Sequence, residues 1–366
     1  MNTIFDQTKS RHPNTIFALN NPHQMEVANL ITANMAPQPN HREPEPGMQY
    51  FTCTTNDGCE LAFQSSQPIS AGASLSTNPD PRYRTCILLM HGFSGSSAYF
   101  TRNVAALSAD HWVVAPDMRG HGRSGRSKGG YHVARLAMDL HELVNHLQKS
   151  SPLGTETQII PVGCSIGAAV LWTYVELFTS APFTGFIFVD QAPLQDRSWF
   201  GEWDAAKAHK GCYDEKTVQQ AQQSWMFYSA EAHRGLVESC LGYLVDPPPG
   251  GSGLSEEQIG KDRRFFMGIS AICDQEWLAR LLSDHTRYDH REACEGIRRK
   301  TLVMAGDKSG CFTREGLEET VRRVNLGSGK GDLARFSLFR SGHWLFYEEP
   351  ERFNREVIAF VAECTR

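Results

Sequence analysis

Within the run IIPVGCSIGAAVLW, the five residues Gly163-Cys164-Ser165-Ile166-Gly167 have the types and spacing for acyl-transfer chemistry. They spell G-x-S-x-G between an apolar strand-like segment and an amphipathic helical one. A sharp strand-to-helix turn exposes the serine hydroxyl, and small flanking residues let strand and helix approach closely. The amide of the residue after the serine then points at the oxygen of a reacting carbonyl, and the helix N-terminus adds favourable charge there. The bland alternative is a glycine-rich packing turn around a buried serine. A second pattern, Gly120-x-Gly122-x-x-Gly125, formally satisfies a dinucleotide-binding fingerprint and follows a strand. However, residues 126–131 (RSKGGY) do not begin the helix that would hold a pyrophosphate, and no acidic residue at a strand end follows at the right distance. No nucleotide or other organic cofactor is therefore expected. No metal is expected either, because the sequence shows no metal-ligand cluster of credible spacing.

The elements that must position Ser165 read as an alternation of strands and helices. Residues 48–54 and 59–64 form a predicted hairpin across Asn56-Asp57-Gly58. The run TCILLM (85–90) is continuously apolar, as a central strand covered on both faces must be. Further strands are predicted at 112–115, 159–162, 186–189, 301–305 and 335–339. Helices are predicted at 132–148, where Val133, Leu136, Leu140, Leu143, Val144 and Leu147 share a face, at 166–178, and from about 351 to 364. Such alternation implies an α/β protein with a doubly wound, mostly parallel sheet.

The alternation breaks between Pro193 and about Gly296, where no convincing strand occurs. This stretch carries Trp199, Trp203, Trp225 and Trp277, together with Phe200, Phe227, Tyr228, Phe265 and Phe266. It reads as an inserted helical lid with an aromatic underside, some of those rings necessarily forming the lid's own core. The expected division is thus an N-terminal extension (1–47), a first core part (48–192), the lid (193–296) and a second core part (297–366). In the extension, Pro37, Pro39, Pro44 and Pro46 favour extended chain, while Met25, Val27, Leu30 and Ile31 suit a short helix.

Composition narrows the classes of function. The 366 residues carry a net charge of −5, and basic groups such as Arg298-Arg299-Lys300 sit among acidic ones, unlike the basic stripe of a nucleic-acid binder. No apolar run approaches the roughly 18 residues of a membrane span, and the first residues do not have the pattern of a secretory signal. Ten cysteines without regular pairing fit buried thiols in a reducing, cytoplasmic setting better than a disulfide framework.

From about Met48 onward the chain resembles the α/β-hydrolase family. The resemblance rests on the serine elbow and three further motifs. His91-Gly92-Phe93, directly after TCILLM, is similar to the family's H-G-x oxyanion motif, which assigns the oxyanion hole to the backbone amides of Phe93 and Ile166. Asp117-Met118-Arg119-Gly120-His121-Gly122-Arg123-Ser124-Gly125 resembles its D-x-R-G-x-G-x-S loop. Gly342-His343 stands after the last strand, where the family places its catalytic histidine. His91, His121 and His132 are read as structural or loop residues. The family's acid commonly follows the seventh strand, three residues after a glycine, but Gly306-Asp307-Lys308-Ser309 has a serine there. Other members carry the acid after the sixth strand, which here is Asp190. Asp190 is the preferred acid and Asp307 the alternative.

The resemblance implies a hydrolase in which Ser165 attacks an acyl carbonyl, His343 acts as general base and Asp190 fixes its tautomer. Esters, lactones and thioesters are the expected small-molecule substrates, and the aromatic lid favours a medium-sized, rather apolar acyl group. C–C bond hydrolases and perhydrolases keep the same serine and stay open as alternatives, as does a non-catalytic ligand-binding protein on this scaffold. An aspartate at the elbow would have indicated epoxide or haloalkane chemistry, and Ser165 argues against both.

Overall fold

The computed structural model describes residues 43–70, 78–201, 203–248, 251, 253–329 and 331–366; the expectations for residues 1–42 lie outside the described residues. Strands β1 (Gln49–Thr54) and β2 (Glu60–Ser65) pair antiparallel about a turn in which Gly58 takes φ +82°. The chain continues through β3 (Thr85–Met90), α1 (Val104–Leu107), β4 (Trp112–Pro116), α2 (Val133–Ser150), β5 (Gln158–Cys164), α3 (Ile166–Phe178) and β6 (Gly185–Val189). Helices α4 (Glu215–Phe227), α5 (Ser229–Cys240), α6 (Gly242–Val245), α7 (Glu256–Ala271), α8 (Gln275–Arg287) and α9 (Arg291–Glu295) separate β6 from β7 (Lys300–Gly306). The chain closes with α10 (Arg314–Ser328), β8 (Ala334–Phe339), α11 (Leu345–Glu348) and α12 (Pro350–Thr365).

The eight strands form one sheet in the order β1-β2-β4-β3-β5-β6-β7-β8. The two edge pairings, β1 with β2 and β2 with β4, are antiparallel; from β4 to β8 every pairing is parallel. Side chains alternate faces along a strand, and the cores show it. Ile87 and Leu89 of β3 join Leu107, Phe353 and Val357 on one face, under α1 and α12. Cys86, Leu88 and Met90 join Leu140, Leu171 and Trp172 on the other, under α2 and α3. Both faces are covered, which explains why the central strands read as unbroken apolar runs rather than alternating ones. Strand order reverses at β3, so a crevice opens beyond the carboxyl ends of β3 and β5, the usual position of a ligand site in open α/β sheets. Both the His91-Gly92-Phe93 loop and Ser165 lie at those strand ends.

Helix α10 was not anticipated from the sequence. Its charged residues mask a narrow apolar stripe, Leu317, Val321 and Val324, which packs on the sheet. Thr313 caps its start through the Gly316 amide, and Gly329 at φ +67° ends it. Among the described residues, no helix is long and apolar enough to cross a membrane.

The aromatic underside expected of the 193–296 segment needs correction. Trp199, Phe200, Phe227 and Tyr228 are largely exposed. Trp277 packs against Gly120, His121 and Tyr131. Phe266 stacks on Trp344 with centroids 3.8 Å apart, and Phe265 on Tyr347. Trp277, Phe266 and Phe265 attach the helices to the sheet part of the molecule, and of the nine only Trp225 borders the cavity described below.

Candidate active site

A single residue, Ser165, separates β5 from α3, and it takes φ +52°, ψ −124°. That conformation is costly for a residue with a Cβ and persists only where the surroundings enforce it. Two close approaches enforce it. A Cβ on Gly163 would lie 2.7 Å from the Ala168 amide nitrogen, and one on Gly167 would lie 2.8 Å from the Met90 carbonyl oxygen. The Ser165 amide donates to the Val189 carbonyl (2.9 Å), tying the elbow to the end of β6. The hydroxyl lies 3.4 Å from Oε1 of Gln191, a buried residue that the sequence did not single out.

Asp190 ends β6, also with positive φ (+47°), and its amide donates to the Met304 carbonyl at 2.8 Å. This turn aims its fully buried carboxylate at Nδ1 of His343, 2.6 Å away. The carboxylate is satisfied on both oxygens: the Gly306 amide donates to Oδ2 (2.7 Å) and the Ser309 hydroxyl to Oδ1 (2.7 Å). Ser309, at the position where a carboxylate was expected, thus donates to the carboxylate at the end of the neighbouring strand. Asp307 is exposed, and its amide donates to the Phe339 carbonyl as part of the sheet's end. With Nδ1 on the carboxylate, the imidazole's other nitrogen is left for the cavity.

The loop carrying His343 is held by a crossing of three backbones. A Cβ on Gly306 would lie 2.0 Å from the Gly342 carbonyl oxygen, and one on Gly342 would lie 2.3 Å from the Cys240 carbonyl oxygen. Glu348 clasps the crossing by accepting from the amides of Gly342 (2.8 Å) and Gly242 (3.0 Å). Burial raises the pKa of Glu348, while the same amide hydrogen bonds oppose the rise. Nothing in the sequence marks Glu348, because its partners are backbone groups from distant segments.

His91 is a different kind of histidine. Its Nδ1 donates to the Gly92 carbonyl (2.8 Å), and its Nε2 accepts from the Met118 amide (2.9 Å). Burial pushes its pKa well below the ordinary histidine value, with His121 at 4.9 Å adding to the effect. The neutral ring pins the loop bearing Phe93. Gly92 sits where a Cβ would lie 3.2 Å from the Ser165 Cβ, so this loop flanks the elbow. Among the described residues, neither the Phe93 nor the Ile166 amide has a hydrogen-bond partner.

The 117–125 loop is structural. The buried Asp117 carboxylate accepts from the Ser97 amide (2.7 Å) and the Arg123 amide (2.8 Å). Arg119, fully buried, bridges Asp57 and Asp139. The glycines of the apparent dinucleotide fingerprint are occupied: a Cβ on Gly120 would meet Trp277, on Gly122 Asp117, and on Gly125 Cys59. No cradle for a pyrophosphate exists there.

Ser165 and His343 border one cavity of about 340 Å³. Phe93, Trp225, Leu236, Leu282, Phe312 and Trp344 give it mostly apolar walls. Cys240 and Cys311 also line it, their sulfurs 3.8 Å apart. The Cys311 thiol is held well below its usual pKa, first by the hydrogen bond from Cys240 and then, against the cost of burial, by His343 and His209. Burial opposes a charge on His343, yet Cys311 and Asp190 outweigh it and hold the imidazole pKa up. Both cysteines are distant in sequence from each other and from His343, so no ligand-like spacing announced their meeting.

Residues 87–356 match the alpha/beta hydrolase family, and the chain belongs to that family. No curated protein is a significant match. The fold is similar to that of an esterase from Exiguobacterium antarcticum (TM-score 0.68, 16% identity, covering 86% of this chain and 100% of that one). It is also similar to a bromoperoxidase from Bacillus anthracis (TM-score 0.67, 18% identity, 86% and 100%). An enol-lactonase from Burkholderia xenovorans LB400 is another such structure (TM-score 0.62, 15% identity, 85% and 100%). At these identities the likeness is one of fold.

Proposed function

We propose that the protein is a serine hydrolase that cleaves a carboxylic ester, lactone or thioester through an acyl-enzyme on Ser165. The observation that carries this reading is the pairing of an enforced positive-φ serine with a histidine held by a buried carboxylate, both facing one apolar cavity. His343 takes the serine proton as the hydroxyl oxygen attacks the acyl carbon. The carbonyl oxygen becomes an oxyanion, and the amides of Phe93 and Ile166, without partners among the described residues, are its proposed donors. The proton then passes from His343 to the leaving group. Water, deprotonated by the same imidazole, releases the acid and restores Ser165. Asp190 keeps the His343 proton on Nδ1 and stabilises the imidazolium, and Ser309 and the Gly306 amide keep Asp190 in place. The cavity sits near the lower end of the roughly 300–1,000 Å³ range of small-molecule sites. Together with its apolar walls this favours a compact, apolar acyl group.

A fluorophosphonate probe tests the reading. Wild-type protein should be labelled, and Ser165→Ala should lose both label and turnover of short-chain acyl esters. Labelling that survives in Ser165→Ala, or no labelling of folded wild-type protein, overturns it and leaves a ligand-binding protein on the same fold.

A further inference from the structure

The proposed serine mechanism has no use for Cys240 or Cys311, yet both sulfurs are buried in the cavity wall beside His343. Cys240 is the last residue of α5 and Cys311 lies in the loop after β7, so two separate parts of the chain deliver them. One donor atom from each of Cys240, Cys311 and His343 can be chosen so that all three lie within 4.8 Å of one another. Because Nδ1 of His343 is committed to Asp190, the nitrogen left for this cluster is Nε2.

Three observations give the cluster the character of a ligand set. A tetrahedral ion with metal–sulfur bonds of about 2.3 Å sets two thiolate sulfurs about 3.8 Å apart, and the observed separation is 3.8 Å. An imidazole whose far nitrogen donates to a buried carboxylate is the usual outer-shell arrangement of a zinc-bound histidine, and Asp190 supplies it. The donors are also held in advance of any ligand. The Cys240 carbonyl is packed on Gly342 and accepts from the Trp344 amide, while the Cys311 carbonyl accepts from the Lys210 amide (2.8 Å) and its amide donates to the Ser309 hydroxyl (3.2 Å).

We propose that Cys240, Cys311 and His343 form a binding site for a thiophilic divalent cation of the zinc class, with the fourth position facing the cavity. Two protons leave to solvent on binding, one from Cys240 and one shared between Cys311 and His343, and the two thiolates neutralise the ion. The ion takes the Nε2 lone pair of His343. If Ser165 acts through that imidazole as proposed above, cation binding and hydrolysis exclude each other, and zinc is a reversible inhibitor.

The experiment uses the full-length, reduced protein and cobalt(II) as a spectroscopic stand-in for zinc. Wild-type protein should develop a near-ultraviolet sulfur-to-cobalt band and the visible bands of a tetrahedral ion, and zinc should displace both. Cys240→Ser and Cys311→Ser should weaken cobalt binding about 100-fold or more and relieve zinc inhibition in parallel. Ser165→Ala should keep the cobalt spectrum while lacking activity, which separates this site from the serine reading: the spectrum reports the metal site even if no ester is hydrolysed. Absence of a sulfur-to-cobalt band in folded wild-type protein overturns the proposal without recourse to any variant. Persistence of the band in both cysteine variants, or its loss in Ser165→Ala, overturns it as well.

Discussion

Two buried histidines, His91 and His343, stand on opposite sides of Ser165 in loops that follow parallel strands, and they have been given opposite chemistry. His91 spends both nitrogens on backbone groups, and burial drives its pKa down. His343 spends one nitrogen on a buried carboxylate and borders the cavity beside Cys311, and Cys311 and Asp190 hold its pKa up despite equal burial. Burial alone therefore makes an inert, loop-setting imidazole. Burial beside Cys311 and a carboxylate instead favours the protonated ring, and in the proposed mechanism this is the base.

The comparison breaks most visibly if its carboxylate is removed. Asp190→Asn should lower kcat by about 10³–10⁴-fold with the fold intact by circular dichroism, because the imidazole loses its tautomer control; a loss below tenfold would reassign the acid. Ser309→Ala removes one donor to Asp190 and should cost about tenfold in kcat, the size of a lost hydrogen bond to a charged group. The pH profile sharpens the contrast. In the proposed mechanism the neutral His343 imidazole is the active form, and its pKa is raised, so activity should fall as pH drops through that raised value. The ascending limb of kcat/KM should lie above the ordinary histidine value of about 6.5 and move to lower pH in Asp190→Asn. His91→Gln, by contrast, should lower Tm by a few degrees, since the Met118 amide loses a buried acceptor, while leaving that limb in place. Asp307→Asn, exposed and remote from the imidazole, should change kcat by less than about twofold.

What the sequence revealed follows from how local each signal is. The central strands, the elbow and the last helix are written in contiguous residues, so TCILLM and GCSIG identify themselves. That Asp190 would face His343 could be inferred because Ser309 stands where a carboxylate was expected, and that gap pointed to the adjacent strand end. The structure adds that Ser309 donates to the Asp190 carboxylate. Contacts between distant segments were not legible. Glu348 binds two backbone amides, and Cys240 meets Cys311 across 71 residues. The aromatic residues of the 193–296 segment misled because composition cannot tell a ring that lines a cavity from one that fixes a helix to its neighbour, as Phe266 does on Trp344. Helix α10 was hidden by its charges, its apolar stripe being only three residues wide.

The crossing of Gly242, Gly306 and Gly342 has a mechanical consequence. The junction of α5 and α6 cannot lift away without dragging the loop of His343, because the backbones already touch and Glu348 holds two of them. Any widening of the cavity must come from the opposite wall, where Trp225 of α4 rests edge-on against Phe93. Amide hydrogen exchange would display this as a gradient across the helical segment. The Gly242 and Gly342 amides should be among the slowest to exchange and α4 among the fastest, so that the molecule opens on the side away from His343 and keeps its loop in register with Asp190.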